Sequence, residues 1–157
     1  MSATTRPPRA GEIDGVSYHF VSDEQFDDLV ATGGLLEWAL YAGTRYGTPK
    51  QPVLDAMAAG KTVVLEIDLN GARQVRQSFP SALQVFIAPP SWQELERRLR
   101  DRGAETKAQM EARLARAKDE LAAEAEFDHV IVNDDLHRTV DELVNLIGQT
   151  TLAGGNS

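Results

Sequence analysis

Three short apolar runs in the second half of the chain constrain its fold most strongly. They cover residues 62–68 (TVVLEID), 82–90 (ALQVFIAPP) and 129–133 (HVIVN). Nearly continuous apolar runs of this length are typical of strands buried on both faces of a sheet. Helical segments separate the runs, and an alternation of strands and helices predicts an α/β fold with a parallel sheet and right-handed crossovers.

Helix-start signals support this division. Three Ser or Thr residues are followed three positions later by a Gln or Glu, which is the spacing of a capping box: Ser22 with Gln25, Ser91 with Glu94, and Thr106 with Gln109. We predict a helix after each, a short helix within 70–79, and a final helix from about 136 to 147. The strand ends after Ile67, Ala88 and Val132 should then share one sheet edge, where open α/β sheets bind ligands.

The first half of the chain predicts a smaller, mixed β region. Residues 17–21 (SYHFV) predict a short strand, and residues 35–49 (LLEWALYAGTRYGTP) predict a hairpin that turns at Ala42-Gly43. Pro52 is expected to begin a helix that ends at Gly60. We expect the antiparallel part to be an insert against the parallel sheet.

The composition limits the classes of function. The chain has 157 residues, 42% of them hydrophobic, and a formal net charge of −8. This fits one globular domain, and an acidic chain is a poor candidate for binding nucleic acid or a membrane surface. No segment approaches the roughly 18 apolar residues of a membrane span, and Arg6 and Arg9 are not followed by the apolar segment of a signal peptide. There is no cysteine, so we expect a cytoplasmic protein without disulfides or a thiolate metal site.

Two carboxylates follow the first apolar run. Glu66 and Asp68 are two positions apart, and on a strand such side chains point to the same side. Carboxylates at that edge suit Mg²⁺ or its water ligands. A helix cap or a solvated strand end is the alternative interpretation.

A basic segment lies within 97–118, which holds half of the sixteen Lys and Arg residues, interleaved with acids. A solvated helix pair with ion pairs four residues apart explains this pattern. A mobile arm hinged at Gly103 is the alternative, in which Arg98, Arg102 and Arg113 offer planar guanidinium groups to phosphate. A polyanion such as RNA is a weaker candidate, because the acids would repel it.

Glu37 lies in the predicted hairpin, between Leu36 and Trp38. It is either exposed on the polar face or a specific hydrogen-bond acceptor. Guanine offers a ring N–H beside an amino group, so one carboxylate can accept from both, whereas adenine lacks this pair of donors. Tyr18 and Tyr46 carry hydroxyl groups near the same region, although a single Tyr is more often a core or rim residue.

Taken together, these segments resemble guanylate kinases. The resemblance runs from Ser2 to about Ile147 and rests on five segments in order: SATTRPPRAGEIDGVSYHFVS, LLEWALYAGTRYGTP, LEIDLNGARQV, VFIAPPSWQELERRLRDRG and HVIVNDDL. It implies a parallel-sheet P-loop kinase-like core, a small mixed β insert that binds GMP, and a helical lid. It also implies the transfer of the γ-phosphoryl group of ATP to GMP, giving ADP and GDP, with Mg²⁺.

The resemblance further implies a role for individual residues and segments. Residues implied to face guanine are Ser2, Glu37 and Thr48, and those implied to hold the GMP phosphate are Arg6, Arg9, Tyr18 and Tyr46. From the lid, Arg98, Arg102 and Arg113 would bind the transferring phosphate, while Asp68 would lie near the phosphates and Mg²⁺, and Asn133 beside the adenine of ATP. The implied segments are a GMP-phosphate loop (1–15), the GMP-binding insert (16–50), the core (51–90 and 126–149), the lid region (91–125) and a disordered tail (150–157).

One family element has no counterpart in this sequence, namely the first strand with its G-x-x-G-x-G-K-[ST] loop and the following helix. Gly60-Lys61-Thr62 lacks the first glycine of G-x-x-x-x-G-K-[ST], because Asp55 holds that position. The absent strand would lie between the first two apolar runs, so we expect unpaired strand edges or a re-paired sheet.

The loop amides and lysine bind the nucleotide phosphates in this family. We therefore expect these residues alone to be impaired in catalysis, and Met1 to be a start assigned inside a longer gene. The alternatives are a non-catalytic module that binds GMP or a protein, and an inactive fragment. The sequence gives no indication of the oligomeric state.

Overall fold

The structure, a computed structural model, describes residues 1–101 and 107–153, without the side chains of Lys107 and of residues 150–153. It divides into two units, Met1–Ala82 and Leu83–Ser157. Each unit carries its own sheet.

The first unit is built on a four-stranded sheet with the order β2-β1-β4-β3. Its strands are β1 (Ala3–Thr4), β2 (His19–Phe20), β3 (Leu35–Tyr41) and β4 (Thr44–Pro49). Strand β1 pairs parallel with β2 and antiparallel with β4, while β3 and β4 form the predicted hairpin. The hairpin turns at Ala42-Gly43 as predicted, with φ of 50° and 78°, and such left-handed backbone is what a tight hairpin turn requires.

Strand β3 contains an irregularity that later positions a site residue. Leu35 lies opposite Pro49 and Trp38 opposite Gly47, so β3 advances three residues where β4 advances two. The extra residue is a β-bulge, which interrupts the ladder and changes the direction of the side chains there. Glu37 lies within this bulge.

This unit also contains three helices: α1 (Asp23–Ala31), α2 (Lys50–Ala58) and α3 (Leu69–Ser78). Helix α1 has both halves of the predicted capping box between Ser22 and Gln25. Helix α2 begins two residues before Pro52 and is followed by Gly60, which has a φ of 75°. The buried apolar side chains of the unit belong to Ala3, Phe26, Leu35, Leu36, Ala72 and Val75.

The second unit contains a parallel pair of strands, β5 (Val85–Ala88) and β6 (His129–Val132). Ala88 lies opposite Val132, so the second and third apolar runs form strands that end together, as predicted. The helices are α4 (Trp92–Asp101), α5 (Lys107–Ala122) and α6 (Leu136–Ala153), and a 3₁₀ turn covers Glu124–Glu126. In the described part of the chain, no helix has both the length and the apolar character needed to cross a membrane.

The prediction of a buried strand at 62–68 is wrong. Residues 61–68 form no strand, and Val64 is 67% exposed. An apolar run predicts burial, but a strand also needs a hydrogen-bonded neighbour, and no described strand pairs with this segment. Consequently Ile67 does not end a strand, and the predicted edge of three strand ends is reduced to the two at Ala88 and Val132.

Candidate active site

Glu37 is a hydrogen-bonded, half-buried carboxylate and not a residue of an exposed polar face. Its Oε1 accepts a hydrogen bond from Thr48 Oγ1 at 2.5 Å. Gly47 allows β4 to approach the bulge, because a Cβ at this position would lie 2.9 Å from the Glu37 carbonyl oxygen. Glu37 Oε2 faces the first turn of α3, 3.3 Å from the place where a Cβ of Gly71 would stand. The structure therefore brings together Glu37 and Thr48, two of the three residues that the resemblance implies to face guanine.

Asp68 is the N-cap residue of α3. Its Oδ1 accepts a hydrogen bond from the Gly71 backbone N–H at 2.9 Å, which confirms the helix-cap interpretation of this carboxylate. Because the strand at 62–68 does not form, Glu66 and Asp68 do not share a strand face. Asp68 and Glu37 are nevertheless close, since both carboxylates lie beside Gly71 at the start of α3.

Arg6, Tyr18 and Tyr46 form a second cluster in the same unit. The guanidinium carbon of Arg6 lies 5.5 Å from the centre of the Tyr18 ring, and the rings of Tyr18 and Tyr46 are 6.3 Å apart, edge to face. This stacking is the arrangement expected of a cation over aromatic rings. Three of the residues predicted to hold a phosphate thus lie together.

Glu12 holds the Arg6 guanidinium, although no sequence motif indicates this residue. Two hydrogen bonds of 2.9 and 2.8 Å join Nη1 and Nη2 of Arg6 to the two carboxylate oxygens, and the backbone N–H of Arg9 donates to the same carboxylate at 2.7 Å. Arg6 and the Arg9 amide lower the pKa of Glu12 to about 2, and the hydrogen bond to Glu12 is the largest cause of the raised pKa of Arg6. The only sequence signal was an acid within a basic Pro- and Gly-rich loop.

Ser2 and Arg9 border this region. The Ser2 carbonyl accepts a hydrogen bond from the His19 backbone N–H at 2.9 Å, which ties the start of β1 to β2. Arg9 is exposed. The carbonyl bond fixes the backbone of Ser2 beside the strand that pairs with β4.

The two clusters are connected through β4. Tyr46 and Thr48 are two positions apart on this strand, so their side chains point to the same face, about 6–7 Å apart along the strand. Tyr46 belongs to the arginine cluster and Thr48 to the Glu37 pair. One face of the sheet therefore has the Arg6 cluster at one end and the Glu37 carboxylate at the other.

In the second unit, the basic helices α4 and α5 contain several ion pairs. Glu94 accepts from Arg97 and Arg98, at 2.7 and 2.8 Å, and these contacts lower the pKa of Glu94 to about 2, with Arg97 the larger cause. Further pairs four residues apart are Arg97–Asp101, Arg100–Glu96 and Arg116–Glu120. The predicted helix pair with ion pairs four residues apart is confirmed.

Arg98 and Asn133 also lie together, because Arg98 Nη2 donates to the Asn133 carbonyl oxygen at 3.3 Å. Arg113 is half-buried and lines a cavity of about 380 Å³ with Phe86, Leu95 and Leu99. Arg102, the hinge Gly103 and the predicted cap Thr106 lie outside the described residues. The structure therefore places two of the three predicted lid arginines.

Comparisons with known proteins give a consistent family. The guanylate kinase family model matches residues 1–150. A guanylate kinase of Thermobifida fusca is 60% identical over 147 residues, covering 94% of this chain and 75% of that protein, and one of Synechococcus sp. strain CC9902 is 60% identical over 143 residues. A crystal structure of guanylate kinase from Anaplasma phagocytophilum superposes with a TM-score of 0.70 at 34% identity, covering 96% of this chain and 73% of that one.

Together with the mixed α/β fold, these matches define the chain as a nucleoside monophosphate kinase. Within that class, it belongs to the guanylate kinase family.

Proposed function

We propose that the first unit binds GMP across the face of β4, with guanine at Glu37 and the phosphate at Arg6, for transfer of the ATP γ-phosphoryl group to GMP. The observation that carries this proposal is the half-buried Glu37 carboxylate, which accepts a hydrogen bond from Thr48. Thr48 lies two residues along β4 from Tyr46 of the arginine cluster. A nucleoside monophosphate has the same polarity, with base donors at one end and a dianion at the other.

At the base end, Glu37 accepts from the ring N–H and the amino group of guanine. Thr48 orients the carboxylate, and Ser2 lies beside the same sheet. Adenine lacks the paired donors, so a site built around this half-buried acceptor discriminates against it. Specificity for the purine thus resides in Glu37.

At the phosphate end, Arg6, Arg9, Tyr18 and Tyr46 supply positive charge and hydroxyl donors. A guanidinium group matches phosphate oxygens with two parallel hydrogen bonds. Glu12 orients the Arg6 guanidinium before a phosphate binds. Arg6 then pairs with both Glu12 and the GMP phosphate, and this arrangement holds the phosphate in a fixed position.

For the transferring phosphate, the proposal assigns Arg98, Arg102 and Arg113 as charge donors and Asn133 as the neighbour of adenine. Asp68 is a single carboxylate, and the described residues contain no group of three or more metal-ligating side chains. A single carboxylate fits a hydrated Mg²⁺ whose other ligands are phosphate oxygens and waters. When bound, Mg²⁺ neutralises the charge that develops on the phosphate oxygens.

We also propose that these 157 residues alone form GDP slowly. Their sequence contains no G-x-x-x-x-G-K-[ST] loop, and in P-loop enzymes this loop provides the main anchor of the nucleotide phosphates. A cytoplasmic location and small-molecule partners, without nucleic acid, are also part of the proposal, because GMP and ATP are the substrates and the chain is acidic.

Calorimetric titration of the chain with GMP and with Mg·ATP, together with an assay of GDP formation, tests the proposal. We expect GMP binding, weak or absent ATP binding and slow GDP formation. GMP binding without any GDP would favour a non-catalytic module. No binding of either nucleotide would contradict the proposed site, and rapid GDP formation would contradict the proposed impairment.

A further inference from the structure

Side chains of helix α3 form hydrogen bonds with the backbone of β3, on the edge of that strand that does not face β4. Strand β3 is the outermost strand of its sheet and pairs only with β4 among the described strands. On its other edge, Ser78 Oγ donates to the Leu36 carbonyl at 2.6 Å, and Gln74 bonds the backbone of Trp38. Buried or half-buried backbone groups require such partners.

Gln74 makes a two-point contact. Its Oε1 accepts from the Trp38 backbone N–H at 3.0 Å, and its Nε2 donates to the Trp38 carbonyl at 2.9 Å. The side chain thus replaces the hydrogen bonds of a neighbouring strand. A primary amide can accept and donate at the same time in this way, and Gln74 and Ser78 lie on one side of α3 because they are four residues apart.

Leu36 and Trp38, whose backbone groups bond to α3, flank Glu37. At this point the ladder to β4 is interrupted by the β-bulge, so β4 alone does not fix the backbone direction. The contacts of α3 to Leu36 and Trp38 fix it from the opposite edge. The direction of the Glu37 carboxylate therefore depends on α3.

We infer that Gln74 is a positioning residue that aims Glu37 at the guanine base and so sets the preference of the site for GMP over AMP. This inference rests on the proposed function. It extends that function to a residue which touches neither the base nor the phosphate, with Ser78 as its second anchor.

The test is calorimetric titration of the 157-residue chain with GMP and with AMP, in the wild type and in Gln74→Met, Glu37→Gln and the double variant. Methionine keeps the length of the side chain and removes both hydrogen bonds. We expect Gln74→Met to lower the preference for GMP about tenfold, and to have no further effect on it in the Glu37→Gln background. Gln74→Glu, which keeps the acceptor for the Trp38 N–H, should restore part of the preference.

Gln77→Met is the matched control. Gln77 is exposed on the same helix and makes no hydrogen bond to β3 within the described residues, so the preference should stay at the wild-type value. If Gln74→Met does not fold, judged by circular dichroism, Ser78→Ala carries the test with the same expectation.

The outcomes separate the inference from the proposed function. If the role of Gln74 is purely structural, Gln74→Met weakens the binding of GMP and of AMP alike and leaves the ratio of the two affinities unchanged. That result would overturn the inference alone, provided that Glu37→Gln still loses the preference for GMP. If Glu37→Gln itself keeps the wild-type preference, the proposed function and the inference fail together.

Discussion

Arg6 and Glu12 form an ion pair in which both carboxylate oxygens of Glu12 accept from the guanidinium group. The backbone N–H of Arg9 donates to the same carboxylate. The Arg6 guanidinium also lies over the ring of Tyr18, so this pair joins the loop around Glu12 to the aromatic cluster.

The Glu12–Arg6 pair should be visible in the pH dependence of stability. Because the pKa of Glu12 falls from 4.5 to about 2 on folding, the pair stabilises the fold above about pH 4.5, and this contribution is lost as the pH falls toward 2. We expect Glu12→Gln to be less stable than the wild type at about pH 6, and the difference to shrink at about pH 3. Urea unfolding at both pH values measures it.

Glu24→Gln is the matched control, since Glu24 is an exposed carboxylate in the first turn of α1. A difference between Glu12→Gln and the wild type that stays constant across this range would contradict the assignment of the pair.

Substitution of Glu37 tests the base-recognition role directly. In Glu37→Gln the amide keeps one acceptor but places a donor against the donors of guanine. We expect the Kd for GMP to rise roughly tenfold or more, because a charge-assisted hydrogen bond contributes about 1.5–3 kcal/mol. Titration with AMP should change little, and an unchanged Kd for GMP would show that the carboxylate does not contact the base.

At the scale of elements, α3 has two tasks. Its first turn is capped by Asp68, and its later turns bind the edge of β3 through Gln74 and Ser78. The helix thus connects the residue proposed to lie near Mg²⁺ with the residue proposed to recognise the base. Changes at its N-terminus should therefore affect both stability and the site.

Asp68 variants can separate these two effects. Asp68→Ala removes the N-cap and should cost about 1 kcal/mol of unfolding free energy, while Asp68→Asn keeps the cap and should stay within about 0.5 kcal/mol of the wild type. Chemical denaturation measures both. If Asp68→Asn is as unstable as Asp68→Ala, the charge and not the cap is what stabilises α3.

Local signals predicted most elements correctly. The capping box at Ser22, the turn at Ala42-Gly43 and the parallel strands β5 and β6 are all present. The failure at 62–68 has a definite cause, because apolar composition reports a tendency to be buried and says nothing about which strand is available for pairing. The bulge at Glu37 could not be predicted either, since it depends on the register between β3 and β4. The partner of Arg6, Glu12, could not be predicted because such contacts depend on loop geometry.

At the scale of the whole molecule, the family could be predicted from five segments in order, and the family match over residues 1–150 confirms it. The residues proposed to bind GMP lie in the first unit, whereas Arg98, Arg113 and Asn133 lie in the second. The roles of all these residues stay predictions. GMP binding by the first unit can be measured without ATP.

The central claim is that this chain recognises guanine through Glu37. Calorimetric titration of the wild-type chain with GMP and, separately, with AMP tests it most directly. The account predicts saturable binding of GMP and at least tenfold weaker binding of AMP, since AMP lacks the two donors that the half-buried Glu37 carboxylate would accept from. Equal affinity for the two nucleotides would contradict it.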